Sequence, residues 1–392
     1  MTQDTQNLPM AERLQLLTET GPGTRMGALL RRFWQPVALL DSVEPGAARA
    51  LRILGEDLTL YRGASGTPHL VGDRCAHRRT LLHTGWVEGE QIRCMYHGWC
   101  YDGTGQCTEM PAEKDSLPAT VKIPGYPLHD YCGILFAYMG EGDAPAFELP
   151  RKDVFEDPER LIFVREQTWP CHWLQQVENS LDATHVSFVH QKGVVGTFGE
   201  AVTPAIPTLE FIETSSGIRQ IATRSEDNVR ASDWTFPNNN HILVPGFTRE
   251  FPWMEIGVWM VAVDETHTSR LQIYSCPSVN EESDRKLAEH YHKYSGYNPT
   301  DHHHELVVEG KYPVEMAFEL VSAQDYVAAI GQGAVADRVN ERLGKSDEGI
   351  VMLRRVLGRE MDAIANGAPT KQWRKLDETV ELLLPGQTAA EA

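Results

Sequence analysis

The pattern of hydrophobic and polar residues divides the chain into a β-rich first part and a mixed second part. From about residue 37 to 145, short apolar or alternating runs such as 48–62 and 133–140 are separated by glycine, proline and aspartate. Such runs are typical of short strands joined by tight turns, and they predict an all-β module. The residues before it carry an apolar stripe in MGALLRRFWQPVAL, which indicates a short helical lead-in.

The second part begins after a charged, proline-rich segment at residues 140–160, which has the composition of a linker. Residues 171–190 then show helical spacing, and residues 313–367 are again helical in pattern. Between these helices, alternating stretches predict antiparallel strands at residues 208–224, 241–247 and 255–276. Strands followed by helices, without βαβ alternation, predict an α+β fold. We therefore expect three regions: a helical lead-in at 1–36 that packs on the last domain, an all-β domain at 37–150 and a mixed domain at 151–392.

Composition and charge narrow the classes of function. The 392 residues include 55 acidic and 36 basic side chains, and the formal net charge is −19. This charge argues against nucleic-acid binding and against docking on anionic membranes, because both favour a basic surface. The apolar runs are too short to span a membrane, and the first residues lack the pattern of a signal peptide, so we expect a cytoplasmic protein. Seven cysteines, an odd number in such a chain, favour metal ligation over a disulfide framework.

Four possible metal ligands lie close together in the run DRCAHRRTLLHTGWVEGEQIRCMYHGW, namely Cys75, His77, Cys94 and His97. The two pairs have the spacings C-x-H and C-x2-H. A Cys2His2 zinc finger would group its cysteines first and its histidines second. One cysteine and one histidine from each half instead match a Rieske [2Fe–2S] cluster, in which two thiolates bind one iron and two imidazoles bind the other. A zinc ribbon is the alternative structure for this run.

A second set of possible ligands occurs in ENSLDATHVSFVH. The three-residue spacing predicts that Asn179, Asp182 and His185 lie on one face of a helix. His190 reaches the same metal as His185 only if the helix ends, bulges or turns. Two histidines and a carboxylate form the facial triad of non-haem iron oxygenases, which leaves three positions of Fe(II) open. The carboxylate stays open at this point, because Asp182 suits a hydrogen bond to His185 better, Glu178 is nearby and many later acids are available. Taken alone, two histidines at this spacing are also typical of ordinary surface or core positions.

With both motifs in one chain, the sequence resembles the oxygenase components of the Rieske-type non-haem iron aromatic ring-hydroxylating oxygenases. CAH…CMYHGW is similar to their Rieske motif, and N-x2-D-x2-H-x4-H is similar to the motif of their mononuclear iron. The resemblance extends over nearly the whole chain, and it is closest to the phthalate-dioxygenase-like branch. It implies a Rieske domain followed by a catalytic domain in which an antiparallel sheet is flanked by helices, a helix-grip or START-like fold.

The resemblance also implies the third ligand of the mononuclear iron. The stretch SAQDYVAAIGQGAVADRVNERLGKSDEGIVMLRR is similar to the C-terminal stretch of the branch, and it makes Asp325 the ligand. Asp337 is the alternative, although we expect it to be ion-paired with Arg338. One departure is Arg79 in CAHRRT, where many relatives have glycine; arginine occurs there in some members of the branch.

The family's electron path implies partners. NAD(P)H would reduce the cluster through a separate flavin- or ferredoxin-type reductase, and this chain has no glycine-rich dinucleotide motif of its own. In the family, head-to-tail trimers pass electrons from the cluster of one subunit to the Fe(II) of its neighbour, so we expect a homotrimer or a hexamer of stacked trimers. Asp182 would link a cluster histidine of one subunit to an iron-ligating histidine of the next. Asp182 and Asn179, from the same motif, are thus the candidate catalytic residues.

The branch acts mostly on aromatic carboxylates, phenoxy compounds and aryl methyl ethers, so the resemblance implies a small aromatic substrate that is hydroxylated or demethylated with O2. An anionic substrate needs a cation. Arg219, Arg224 and Arg230 lie on predicted strands, although each is more typical of a surface position. Residues 234–247 have the aromatic and amide content of a pocket wall or of an ordinary strand and turn. Two other classes remain open: a Rieske electron-transfer protein without oxygenase activity of its own, and a redox-sensing or ligand-binding protein without turnover.

Overall fold

The computed structural model describes residues 8–113, 118–149, 153–191, 205–246, 251–297 and 316–371, together with Thr5 and Val307. The helices are α1 (Met10–Leu16), α2 (Arg25–Leu30), α3 (Trp173–Ser180), α4 (Val186–Val189), α5 (Glu281–Tyr294), α6 (Ala317–Gly331) and α7 (Glu348–Ala365). The strands of the first half are β1 (Trp34–Leu39), β2 (Ala48–Ile53), β3 (Glu56–Arg62), β4 (Pro68–Gly72), β5 (Trp86–Glu88), β6 (Gln91–Arg93), β7 (Cys100–Tyr101), β8 (Cys107–Glu109), β9 (Gly125–Tyr126), β10 (Leu128–Tyr131) and β11 (Ile134–Tyr138). Those of the second half are β12 (Arg160–Trp169), β13 (Thr208–Glu213), β14 (Gly217–Ser225), β15 (Asn228–Thr235), β16 (Asn239–Val244), β17 (Met254–Ala262) and β18 (Thr268–Pro277).

The chain divides into two compact units. The N-terminal unit contains the described parts of residues 20–147 and 261–264, and the C-terminal unit contains those of 1–19, 148–260 and 265–392. The helical lead-in expected at 1–36 therefore contributes α1 to the C-terminal unit and α2 to the N-terminal unit. The N-terminal unit takes in residues 20–36 because β1 pairs antiparallel with β11, from Trp34↔Tyr138 to Leu39↔Ile134.

The N-terminal unit is built, in its described residues, from three antiparallel sheets with the strand orders β1-β11-β10, β2-β3-β4-β9 and β5-β6-β7-β8. Their strands are short because glycine and proline turns interrupt the apolar runs, as the sequence pattern predicts. A buried cluster that includes Tyr61, Val71 and Ile92 also contains Cys75 and Cys94. The two predicted cysteine ligands are therefore anchored in the core of this unit.

The C-terminal unit contains a seven-stranded sheet with the order β12-β18-β17-β16-β15-β14-β13. Strands β13 to β18 follow one another as a meander, and β12 pairs antiparallel with β18 over its whole length, from Arg160↔Pro277 to Trp169↔Thr268. Helix α7 packs on β13 and β14, and α6 packs on α3 and α4. The antiparallel sheet with its helices confirms the predicted α+β fold.

The helices of the C-terminal unit follow local signals. At the start of α5, Asn280 accepts the N–H of Ser283 at 3.0 Å, and acidic residues occupy the first turn, where they complement the helix dipole. Gly349 lets α7 approach the sheet closely, because a Cβ there would lie 2.3 Å from the ring of Phe211 on β13. None of the helices in the described ranges is both long and apolar enough to cross a membrane.

Candidate metal centres

Two loops of the N-terminal unit carry the four predicted cluster ligands. Cys75 and His77 follow β4, and Cys94 and His97 follow β6. In both loops the N–H of the cysteine donates to the carbonyl five residues later, at 3.0 Å in the first and 2.9 Å in the second. Each cysteine carbonyl in turn accepts the N–H four residues later, at 2.9 Å and 3.0 Å. The two loops therefore share one backbone arrangement although their ligand spacings differ.

The fourth residue after each cysteine has a left-handed backbone. Arg79 has a φ of 65°, and Gly98 has a φ of 73°. A side chain at such a position is strained because its Cβ approaches the neighbouring carbonyl, whereas glycine adopts this conformation freely. A glycine in place of Arg79 would therefore suit this loop.

The two imidazoles face each other. The ring centroids of His77 and His97 are 4.4 Å apart, and His77 stacks on Trp99 with a centroid distance of 4.7 Å and an interplanar angle of 9°. The Nδ1 atom of His77 is buried and has no hydrogen-bond partner within the described part of the chain. Because a buried polar atom without a partner is costly, this nitrogen fits a metal ligand.

The sulfur atoms lie in a buried environment with hydrogen-bond donors. Burial raises the pKa of the Cys94 thiol, and the neighbouring Cys75 raises it further, whereas the backbone N–H groups of Tyr96 and His97 donate to the sulfur and oppose the rise. The Sγ of Cys75 is 3.2 Å from the hydroxyl of Tyr101. Metal binding requires the thiolates, and such donors stabilise them. Two thiols and two imidazoles in one pocket fit a Rieske cluster.

The second group of predicted ligands lies in the C-terminal unit, where the chain turns between two helices. Helix α3 ends at Ser180, His185 directly precedes the short α4, and His190 directly follows it. The single helical face predicted for Asn179, Asp182 and His185 is therefore wrong. The sequence predicted that His185 and His190 could reach one metal only if the helix ended, bulged or turned. The helix does end before His185, and the two histidine rings lie with their centroids 5.4 Å apart.

Helix α6 carries Asp325 to the two histidines. Its Oδ1 is 3.4 Å from Nε2 of His185 and 3.4 Å from Nε2 of His190, and one donor atom from each of the three residues lies within 4.8 Å of the others. The same Oδ1 is buried and accepts no well-aligned hydrogen bond from the described residues. A buried carboxylate oxygen that converges with two imidazole nitrogens fits the facial triad of a mononuclear Fe(II).

The far side of each imidazole is fixed by a hydrogen bond. The Nδ1–H of His190 donates to Oε1 of Gln324 at 2.9 Å, and the Nδ1–H of His185 donates to the main-chain carbonyl of Asp182. Both bonds favour the tautomer whose Nε2 is free to bind a metal. The Asp182 carboxylate itself accepts the N–H groups of Thr184 and His185, at 3.0 Å and 3.2 Å, and so holds the turn that presents His185.

Electrostatics favour an ionised Asp325 at the triad. Burial raises the pKa of Asp325, but the charge of His190 and the close approach of both imidazoles outweigh it and hold the pKa well below its usual range. Burial lowers the pKa of His185, but the neighbouring carboxylates of Asp325 and Asp182 raise it overall. Asp325 is therefore an ionised carboxylate, which is the state that a divalent metal needs.

The triad opens on a cavity of about 250 Å³. Apolar side chains line much of it, including Ile242, Leu243, Val244, Ile256 and Val258. Asn179 and Asp182 line it beside the triad, and so do residues 240 and 242–245 of the stretch predicted as a possible pocket wall; residue 247 of that stretch lies outside the described residues. A mostly apolar cavity with a few polar groups is typical of a site for a small organic molecule.

Comparison with known proteins agrees with this geometry. Residues 33–127 match the family model of the Rieske [2Fe-2S] domain, and residues 169–275 match that of the vanillate O-demethylase oxygenase C-terminal domain. The 5,5'-dehydrodivanillate O-demethylase oxygenase subunit of Sphingobium sp. (strain NBRC 103272 / SYK-6) is 33% identical over 374 residues, which cover 92% of this chain and 82% of that protein. The chain belongs to the Rieske non-haem iron oxygenases. As a member of this family it is an enzyme, the terminal oxygenase component of its system.

Two further Rieske oxygenases extend the comparison. The phenoxybenzoate dioxygenase subunit alpha of Ectopseudomonas oleovorans is 33% identical over 377 residues, 90% of this chain and 85% of that protein. The terminal oxygenase of carbazole 1,9a-dioxygenase from Novosphingobium sp. KA1 has the same fold, with a TM-score of 0.66 at 19% identity, covering 89% of this chain and 96% of that one.

The two other acids considered as iron ligands, Glu178 and Asp337, have structural partners. Glu178 accepts hydrogen bonds from Arg338 at 2.9 Å and from Arg354 at 2.7 Å. The ion pair predicted between Asp337 and Arg338 is wrong, because Arg338 is engaged with Glu178 and Asp337 accepts the side-chain amide of Asn340 at 2.7 Å. Within the described residues, neither acid belongs to the group that could hold a metal ion.

The three arginines predicted as possible carboxylate ligands differ in their positions in the structure. Arg219 forms a two-point ion pair with Asp233 at 2.7 Å and does not line the cavity, whereas Arg224 and Arg230 do. Arg270 on β18 also lines it, and sequence reasoning missed this residue because its strand pattern is that of ordinary sheet. The positions of Gln324 and Tyr101 were likewise missed; the only signal for Gln324 is that it immediately precedes Asp325.

Proposed function

We propose that this Rieske oxygenase uses O2 and electrons from NAD(P)H, delivered by a separate flavin- or ferredoxin-type reductase, to hydroxylate or O-demethylate a small aromatic carboxylate or aryl ether. The observation that carries the proposal is the convergence of His185, His190 and Asp325 on the wall of an apolar cavity. The names of the two relatives, dehydrodivanillate O-demethylase and phenoxybenzoate dioxygenase, support an aromatic acid substrate.

Each group of ligands would hold one iron cofactor. Cys75, His77, Cys94 and His97 would bind a [2Fe–2S] cluster, which carries one electron at a time. His185, His190 and Asp325 would bind Fe(II), which activates O2 in enzymes of this kind. Ionised Asp325 would offset part of the metal charge, and the apolar side chains of the cavity would contact the substrate in place of water.

The remaining site residues would position the metal ligands and connect the two metal centres. Gln324 accepts the Nδ1–H of His190 and so directs Nε2 to the metal. Asp182 holds the turn before His185, and we assign it the link to a cluster histidine of a neighbouring subunit in a homotrimer or a hexamer of stacked trimers. Asn179 lines the cavity next to it. The absence of a dinucleotide motif in the sequence supports a separate reductase.

Iron and sulfide content test the proposal. Purified protein should contain about three irons and two acid-labile sulfides per chain, because one cluster and one mononuclear iron are expected. His185→Ala should lose about one iron and retain the visible spectrum of the cluster. His292→Ala, at an exposed histidine of α5, is the matched control and should keep all of its iron.

The same measurement decides between the oxygenase and the alternative, a Rieske electron-transfer protein without oxygenase activity of its own. Such a protein would contain two irons per chain, unchanged by His185→Ala. The approach of the buried Asp325 Oδ1 to Nε2 of both His185 and His190, at 3.4 Å each, favours the oxygenase, because an electron carrier has no use for a second ligand group.

A further inference from the structure

Four arginines line the cavity beside the proposed iron: Arg165, Arg224, Arg230 and Arg270. Arg165 has a counter-ion, because its Nη2 is 3.4 Å from Oε1 of Glu319. Arg270 lies 4.0 Å over the ring of Trp169, and the negative charge of Asp325 opposes the effect of burial, which lowers the pKa of Arg270. Nε and Nη1 of Arg270 have no hydrogen-bond partner among the described residues. Each of these two arginines nevertheless has an acid that favours its charged form.

Arg230 and Arg224 differ, because no acid of the described chain compensates them. Among the described residues, the Nε and Nη2 atoms of Arg230 are buried without a hydrogen-bond partner, and its guanidinium lies over the Trp253 ring, 5.0 Å from the centroid. Burial lowers the pKa of Arg230 to about 10, and the positive charge of Arg224 adds to this effect. Burial also lowers the pKa of Arg224. Two neighbouring cations therefore share one wall of the cavity.

Such a pair is costly unless an anion completes it. A buried charge without a partner destabilises the fold by the free energy of its lost hydration. The planar guanidinium presents parallel N–H groups that match both oxygens of a carboxylate. The unused donors of Arg230 are therefore the kind of group that a bound anion satisfies.

The position of the pair suits a substrate that reaches the iron. Arg224 donates from Nη2 to the carbonyl of Ala183 at 3.1 Å, and Ala183 lies two residues before His185. Arg230 is on β15, paired directly opposite Ala222 of β14, which also lines the cavity. Apolar side chains of β16 and β17 cover the adjoining wall, which favours an aromatic ring over a small inorganic anion.

We propose that Arg230, assisted by Arg224, binds the carboxylate of an aromatic substrate and thereby orients its ring toward the metal triad. This inference rests on the proposed function only in taking the cavity as the substrate site. It makes Arg230 a specificity-determining residue, because an uncharged analogue would leave its donors unpaired.

Binding of two ligands of equal shape tests the subsite. Benzoate and benzamide are titrated into the iron-loaded protein by calorimetry, for the wild type, Arg230→Met and Arg230→Lys. Wild type should bind benzoate about tenfold to a hundredfold more tightly than benzamide, and Arg230→Met should abolish this preference. Arg230→Lys should retain part of it, because the charge remains but the two-point geometry is lost. Arg285→Met, at an exposed arginine of α5, is the matched control and should bind as the wild type does.

If Arg230 had only a structural role, its replacement would change the stability of the protein. Because Arg230 is an uncompensated charge, Arg230→Met should not lower the midpoint of thermal unfolding, whereas loss of a structural arginine would. Equal binding of benzoate and benzamide by wild type overturns the inference, and so does an unchanged preference in Arg230→Met. Displacement of benzoate by inorganic phosphate at an equal concentration also overturns it, because the site would then select charge alone.

Turnover separates this inference from the proposed function. With a surrogate reductase, formaldehyde release from 3-methoxybenzoate and 3-methoxybenzamide is measured. If benzoate binds through Arg230 but neither ether is demethylated and no hydroxylated product forms, the subsite stands and the proposed function fails. If both ethers react equally in wild type and in Arg230→Met, the function stands and the subsite is overturned.

Discussion

Gly98 and Arg79 occupy equivalent positions in the two loops and share a left-handed backbone, but only one of them is glycine. Gly98 adopts it without strain, and a Cβ there would lie 3.3 Å from Cγ of Pro111. Arg79 adopts it with a side chain that is exposed to solvent and so has little packing to lose. The loop geometry, set by the hydrogen bonds of Cys75 and Cys94, therefore imposes strain on Arg79.

Relief of that strain gives the prediction at the residue scale. Arg79→Gly should raise the free energy of unfolding by up to about 1 kcal/mol, because glycine adopts the positive φ freely; its greater entropy in the unfolded chain offsets part of the gain. Arg79→Ala, which keeps the Cβ, is the control and should bring no gain. Urea denaturation of both variants measures the difference. A glycine variant less stable than the alanine variant would contradict the strain.

The ligands differ in how far the sequence could predict them. Cys75, His77, Cys94 and His97 follow from spacing, because one short run holds all four. Asp325 could be proposed only through the resemblance, since it meets His185 across a long stretch of chain that no local pattern encodes. Gln324 could not be predicted at all, because its bond to His190 joins residues 134 apart in sequence and depends on how α6 packs on α4.

At the scale of elements, the end of α3 decides where the proposed iron ligands lie. The helix ends at Ser180, five residues before His185, and the following turn is held by the Asp182 carboxylate. Periodicity predicted one continuous helical face, since hydrophobic spacing records which side is buried but not where tertiary packing stops the helix. The helix begins at the His172 cap, where Nδ1 accepts the N–H of Leu174 at 3.3 Å.

Protonation of His172 should destabilise the fold. Its Nε2–H donates to the carbonyl of Thr18 at 3.0 Å, so the capping imidazole is neutral. Burial lowers the pKa of His172 to about 4, with a smaller contribution from the charge of Arg338; the Thr18 bond and Glu178 oppose it. Because the unfolded chain binds the proton near pH 6.5, this contribution is complete above that pH and is lost as pH falls toward 4.

The expected loss for His172 is about 3 kcal/mol of unfolding free energy between pH 6.5 and 4. Urea midpoints of wild type and His172→Asn, followed by tryptophan fluorescence, measure it. Asparagine can cap the helix but does not titrate, so the variant should lose less stability over this range. Equal pH dependence in the two proteins would show that His172 is not held neutral by the fold.

At the scale of the whole molecule, each unit contains one group of proposed ligands. The cysteine and histidine group lies in the N-terminal unit, and the group of His185, His190 and Asp325 lies in the C-terminal unit. The antiparallel sheets and the order of the domains could be predicted from alternating runs and turn residues. The exact extent of each unit could not, because residues 20–36 join the N-terminal unit through the pairing of β1 with β11, which are far apart in sequence. The path of electrons between the two ligand groups is likewise a property of the assembly that we propose.

Mixed oligomers test that path. Cys94→Ser should lack the cluster and His185→Ala the mononuclear iron, so each variant alone should be inactive. Suppose that electrons pass from the cluster of one subunit to the iron of its neighbour. In a closed ring of the two variants co-expressed in equal amounts, about a quarter of the interfaces then join an intact cluster to an intact iron site. About a quarter of the wild-type activity should therefore return. Transfer within one chain would restore none, because no chain then carries both centres. Separately expressed variants, mixed after assembly, serve as the control, and activity in that mixture would indicate exchange of subunits or of metal.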